Sequence, residues 1–143
     1  MLKCSTRDNV AGTGVTIILT TQTNKIGALS IASGALLDLN APSSERFAGL
    51  VLIQDSNGLA TGTSYTSRHS RIGGKRGATL NGLIYFPSSS LTFHGKPGDT
   101  GPRCLVLVVD SVNVNSNSSL DTGGCSSAGL FELPIVNRVA LAE

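Results

Sequence analysis

The apolar residues of this chain return at a step of 21. Ile84 and Phe86 return as Leu105 and Leu107, Leu91 and Phe93 return as Val112 and Val114, and Cys104 returns as Cys125. Earlier in the chain Leu29 and Ile31 return as Leu50 and Leu52 at the same step. Repeats of about 20 to 50 residues mark solenoids, in which one unit cannot bury its own apolar face and must stack on the next. Such a chain is more naturally a scaffold than a catalyst.

Within each repeat the apolar residues alternate, as in Val15-Thr16-Ile17, Leu29-Ser30-Ile31, Leu91-Thr92-Phe93 and Val112-Asn113-Val114. A period of two belongs to a strand with one buried face. The tract Leu105-Val106-Leu107-Val108-Val109 is apolar on both faces and fits a strand covered on both sides. Turn formers separate these runs, among them Pro42-Ser43-Ser44, Pro87-Ser88-Ser89-Ser90 and Gly123-Gly124. The expected fold is therefore all-β, a short right-handed parallel β-helix of about five coils with about 21 residues per coil. The competing architecture is a sandwich built from hairpins. Its turns would have to come from Asn57-Gly58 or Asn81-Gly82, and neither joins two alternating strands.

Leu19, Leu37, Leu52, Ile84, Phe86, Leu107, Val112 and Val114 are expected to point inward. Residues 1–143 read as one domain, with a long polar and basic loop over 56–78 and a C-terminal cap or extra strand over 131–143. The start near Val10 is expected to remain open, and an open β-helix end would favour a homo-oligomer.

Only 14% of the residues are charged and the net charge is +2, so Ser, Thr, Asn and Gly must make most of the surface. That balance argues against a nucleic-acid binder driven by phosphate neutralisation. No apolar run reaches the roughly 18 residues of a membrane span. Met1-Leu2-Lys3-Cys4-Ser5-Thr6-Arg7-Asp8 lacks the apolar core of a signal peptide, so no export route is expected from the chain as it stands.

The cysteines point the other way. Neighbouring strands lie about 4.8 Å apart, within the Cα separations of about 4.4 to 6.8 Å that disulfides span. If 21 residues make one coil, Cys104 and Cys125 lie one above the other and a structural disulfide is available; the alternative is two buried free thiols. A bridge would imply an oxidising compartment. Cys4 is left without a partner, either free or a link to another molecule.

Gly14-Val15-Thr16-Ile17-Ile18-Leu19-Thr20, Leu39-Asn40-Ala41-Pro42 and Phe47-Ala48-Gly49-Leu50-Val51-Leu52-Ile53-Gln54-Asp55 carry a resemblance that strengthens at Leu80-Asn81-Gly82-Leu83-Ile84-Tyr85-Phe86-Pro87. It continues through Leu91-Thr92-Phe93-His94-Gly95, Val109-Asp110-Ser111-Val112, Asn117-Ser118-Ser119-Leu120 and the ending Val139-Ala140-Leu141-Ala142-Glu143. Over residues 12–143 the chain resembles the distal β-helical region of bacterial TadE/TadG-like pilus-assembly proteins, and the stretch around Tyr85-Phe86-Pro87 is the most specific part. The resemblance implies a periplasmic or extracellular cell-surface protein linked to Flp (tight-adherence) pili, with envelope or pilus proteins and surface polysaccharide as partners. Members of that family carry an N-terminal membrane helix and a long segment ahead of this region. The resemblance supplies no catalytic residues. The function it implies is structural or adhesive, and the alternative is a carbohydrate-binding or carbohydrate-active β-helix protein.

Motifs of other chemistries are weak. Asp99-Thr100-Gly101 and Asp121-Thr122-Gly123 match the aspartic-protease triplet, but their neighbours are those of exposed turns. Arg68, His69, Arg71, Lys75 and Arg76 form a basic stretch that could hold a polyanion, with a solvated loop as the plainer reading. Gly73-Gly74-Lys75 lacks the hydroxyl residue of a phosphate loop, because Arg76 stands there. His69 and His94 have no second ligand at metal-binding spacing, and Asp38, Asp55 and Asp110 fall on different strands. No metal, cofactor or catalytic residue is expected.

Overall fold

The computed structural model describes residues 2–20, 28–54, 69–73, 79–94, 104–115, 124–125 and 130. Nine strands follow one another: β1 (Leu2–Cys4), β2 (Asn9–Thr13), β3 (Ile17–Leu19), β4 (Leu29–Ile31), β5 (Leu36–Asn40), β6 (Leu50–Gln54), β7 (His69–Gly73), β8 (Thr79–His94) and β9 (Leu105–Val114). Every pairing among the described residues is parallel, which excludes the hairpin sandwich for this part of the chain. The strands form one curled parallel sheet, a half-barrel compatible with a β-solenoid-like fold.

The pairings sort the strands into three columns. The first column stacks β1, β4, β7, the end of β8 and the end of β9. The second stacks β2, β5 and the start of β8. The third stacks β3, β6, the middle of β8 and the start of β9. β8 bends across all three columns, so one strand ties the whole sheet together. Its bend falls at Pro87-Ser88-Ser89, where β8 carries residues that Asp110 alone faces on β9. Proline is tolerated at such an irregularity because no ladder hydrogen bond is needed from its nitrogen.

A step of 21 holds for the first column in its later layers, where Leu91 pairs with Val112 and Phe93 with Val114. It does not hold throughout. Ile84 pairs with Leu107 and Phe86 with Val109, not with Leu105 and Leu107 as the step predicts. The slip is two residues, which keeps the inward set inward because side chains alternate with period two. Leu29 and Ile31 stack on Leu2 and Cys4, whereas Leu50 and Leu52 stand in the third column beside Leu83 and Ile84. Each side of a layer presents a similar apolar doublet, so spacing alone confuses one side with a full turn. Between the second and third layers the separation is 41 in the first and second columns, as in the Asn81 to Asn40 contact, and 32 to 33 in the third.

The core holds Leu29, Ile31, Leu37, Leu39, Val51, Leu52, Ile72, Ile84, Phe86, Leu91 and Phe93. Leu19 and Leu107 pack against it partly buried. Val112 and Val114 differ from expectation, being 49% and 41% exposed. Their register continues the inward columns of Leu91 and Phe93, and beyond β9 the structure describes only residues 124–125 and 130. Residues 69–73, read from sequence as part of the 56–78 loop, form β7. The C-terminal cap over 131–143 lies outside the described residues.

Gly82 turns β8 from the second column into the third with a φ of 136°. A Cβ there would stand 2.8 Å from the Ala41 Cβ and 2.9 Å from the Gly49 carbonyl oxygen. The Ile84 side chain is fully enclosed, and Ile84→Ala is expected to cost about 2–5 kcal/mol through lost burial and a residual cavity. Val108→Ala on the outer face should cost under about 1 kcal/mol. Urea midpoints of the two variants measure the contrast.

Candidate functional site

Because side chains alternate across each strand, the three columns present three outer faces of different chemistry. On the first, Lys3, Ser30, Arg71, Thr92 and Asn113 follow one another in register. His69 leads a neighbouring row, its Nδ1 2.5 Å from the Ser90 Oγ. On the second, Asp38 accepts a hydrogen bond from the Thr79 hydroxyl, and Asn81 donates to the Asn40 Oδ1 at 2.7 Å. The Cys104 N–H then donates to the Asn81 Oδ1 at 3.2 Å, which continues the ladder one layer further. On the third, Ile18, Ile53, Tyr85 and Val108 stand in register.

That third row is apolar at every level. Ile18 is 44% exposed, Tyr85 37% and Val108 41%, while their neighbours Leu52, Ile84 and Phe86 are buried on the opposite side of the same strands. Leu83 and Val106 pair beside the row and are half-buried. The side chains are held by a rigid backbone ladder with the core directly behind it. Contiguous exposed apolar surface on a soluble fold marks a place where something packs. Sequence periodicity assigned the inward set and left this outward row unremarked. The signal was present in the two-sided apolar tract Leu105 to Val109.

Of the basic residues singled out from sequence, Arg71 and His69 lie on β7, both exposed. Arg68, Lys75 and Arg76 lie outside the described residues, as do Asp55, Asp99 and Asp121. Asp38 and Asp110 stand in different columns, and no group of three His, Cys, Asp or Glu residues that could hold a metal is found among the described residues. His69 and His94 are each matched with the residue 21 positions on, Ser90 and Asn115, and not with each other. The His94 Nδ1 lies 2.9 Å from the Asn115 Nδ2.

Inside the layers two buried polar pairs replace apolar contacts. The Ser89 hydroxyl donates to the Gln54 Oε1 at 2.6 Å, and the Ser70 Oγ accepts from the Leu29 N–H at 3.2 Å. Satisfied pairs of this kind fix how one layer sits on the next, since breaking either leaves a buried polar atom without a partner.

Cys104 and Cys125 form a disulfide with a Cα separation of 4.4 Å, as expected for residues stacked across adjacent layers. Cys4 is a free thiol on β1. Burial pushes its pKa up, and the nearby Asp8 carboxylate adds to the effect. It is therefore protonated at neutral pH and a poor nucleophile. No family model matches this chain, nor does any curated protein or solved structure.

Denatured, unreduced protein should show one titratable thiol, and reduced protein three. Reduction should lower stability by about 3 kcal/mol, the chain-entropy value for a loop of this size. Alkylation of native Cys4 should rise at higher pH than that of an unperturbed thiol, and Asp8→Asn should move that rise to lower pH by removing one of its two causes.

Proposed function

We propose that this chain is a non-catalytic structural or adhesive element of the bacterial cell envelope, working in assembly of Flp/Tad pili. In this reading the sheet is a short right-handed parallel β-helix whose later coils take about 21 residues each. The observation that carries it is the outer row Ile18, Ile53, Tyr85 and Val108, an uncharged strip on a rigid wall. A strip of this kind suits packing against another protein. Tyr85 belongs to the stretch of strongest resemblance to TadE/TadG-like proteins, where its neighbours Ile84 and Phe86 fill the core. The disulfide supports a periplasmic or cell-surface setting, because oxidising compartments are where such bridges persist.

A second reading follows from the same tyrosine. An exposed aromatic ring on a rigid strand is a platform for the apolar face of a sugar ring, so surface polysaccharide is the competing partner. The chain has no tryptophan and two tyrosines, which makes tyrosine fluorescence a direct reporter of such binding.

The test is made in bacteria that carry the pili. Replacing the native copy with a Tyr85→Lys, Val108→Lys variant should reduce piliation and surface attachment, while the variant keeps the single free thiol of the folded parent. Normal pilus number and attachment in that strain would remove the pilus assignment. Saturable quenching of tyrosine fluorescence by purified surface polysaccharide, lost in Tyr85→Ala, would favour the sugar-binding alternative.

A further inference from the structure

Asn81 and Gly82 stand side by side where β8 leaves the second column for the third. An Asn-Gly pair can rearrange without an enzyme. The glycine nitrogen loses its proton and attacks the asparagine Cγ, the side-chain nitrogen leaves as ammonia, and a five-membered succinimide forms. Water then opens that ring to aspartate or to isoaspartate. Glycine favours the step because it has no Cβ to crowd the attacking nitrogen.

The structure holds every polar group that this reaction uses. The attacking Gly82 N–H donates to the Cys104 carbonyl oxygen at 2.7 Å. The Asn81 Oδ1, on the carbon to be attacked, accepts from the Cys104 N–H at 3.2 Å. The Asn81 Nδ2, the leaving nitrogen, donates to the Asn40 Oδ1 at 2.7 Å. The Asn81 carbonyl oxygen accepts from the Ala41 N–H at 2.9 Å, so the peptide between Asn81 and Gly82 is pinned from both sides. Ring closure requires that peptide to turn until its nitrogen faces Cγ, and turning breaks its bonds to both neighbouring layers. Loss of the Gly82 proton would also leave a bare nitrogen against the Cys104 carbonyl oxygen, and Gly82 is buried, where an unpaired polar group is costly.

Cys104 supplies two of these four contacts, one from each of its backbone groups, and its side chain is tied to Cys125. We propose that Asn81 is a latent deamidation site, kept closed by the disulfide-anchored Cys104 and opened when that bridge is lost. A dithiol reductant, itself oxidised to a disulfide, converts the bridge to two thiols and frees Cys104 to leave. The peptide can then turn, and Asn81 reacts irreversibly with water and loses ammonia. The product changes the fold, because isoaspartate adds a methylene to the backbone where β8 turns. Leu83, Ile84 and Phe86 then cannot keep their register with β6 and β9. A chain that has lost its bridge is thus barred from returning to the stacked state. The inference rests on these contacts and is independent of the envelope assignment.

The experiment follows the mass gain of deamidation in tryptic peptide 77–103, in which Asn81 is the only side-chain amide. The whole chain is incubated at one pH as oxidised native protein, as oxidised protein in denaturant, and as native protein reduced with a dithiol. A Cys104→Ser, Cys125→Ser variant repeats the last condition without reductant. Hydrogen exchange at the Ile84 and Phe86 amides reports whether the layers persist. The oxidised native chain should deamidate about a hundredfold more slowly than the denatured one, because its held peptide seldom opens. Reduction, or the double substitution, should raise the native rate by about tenfold while Ile84 and Phe86 stay protected. An oxidised native chain that deamidates as fast as the denatured one overturns the proposal, as does a native rate that loss of the bridge leaves unchanged. A rate that rises only when Ile84 and Phe86 lose protection overturns it too, because global unfolding and not the departure of Cys104 would then be the trigger.

Discussion

A parallel strand cannot close its hydrogen bonds or cover its apolar side chains within its own layer; both depend on the layer above and the layer below. Everything else in this protein follows from that dependence. Ile84, Phe86 and Leu91 are fully buried because they lie in layers covered on both sides. Leu2, Val112 and Val114, in β1 and at the end of β9, are exposed. Stability is thus a property of neighbouring pairs of layers and not of any one of them.

β8 is the element that makes the stack one object. It contributes to the second, third and first columns in turn, and it pairs with β5, β6, β7 and β9. Its bends need residues that give up side-chain volume or a ladder hydrogen bond, which is why Gly82 stands at one and Pro87 at the other. The disulfide adds a covalent tie at the corner beside Asn81, where the side-chain ladder from Asn40 reaches the Cys104 backbone. Rigid columns and tied corners leave the outer rows as the surfaces that can differ in chemistry without disturbing the core. The first and second carry polar side chains, and the third carries Ile18, Ile53, Tyr85 and Val108.

The strand content, the parallel stacking and the Cys104 to Cys125 bridge were legible in the residues, because alternation is a local property and the 21-residue return survives at Leu91 to Val112 and Cys104 to Cys125. The inward assignments of Leu37, Leu52, Ile84 and Phe86 follow from the same alternation. Register was less legible. Leu105 was read as the partner of Ile84, yet Leu107 takes that place, because a bend at Pro87-Ser88-Ser89 absorbs residues that counting assigns to the ladder. The pairing of Leu29 with Leu50 failed for a related reason, since one side of a layer imitates a full turn. Of the outer apolar row only the Val108 end was legible, in the two-sided tract Leu105 to Val109, for a row exists only once the layers are superposed.

The residues by themselves determined that this chain makes strands, which face of each strand is apolar, and that it needs stacking to bury that face. They did so because side chains alternate along an extended backbone whatever its neighbours are. Only the tertiary structure decided which strands are neighbours, how many residues each connection consumes, and which side chains align across layers. Those are set by where the chain bends and by contacts between residues as far apart as 41 positions, and no local period encodes them.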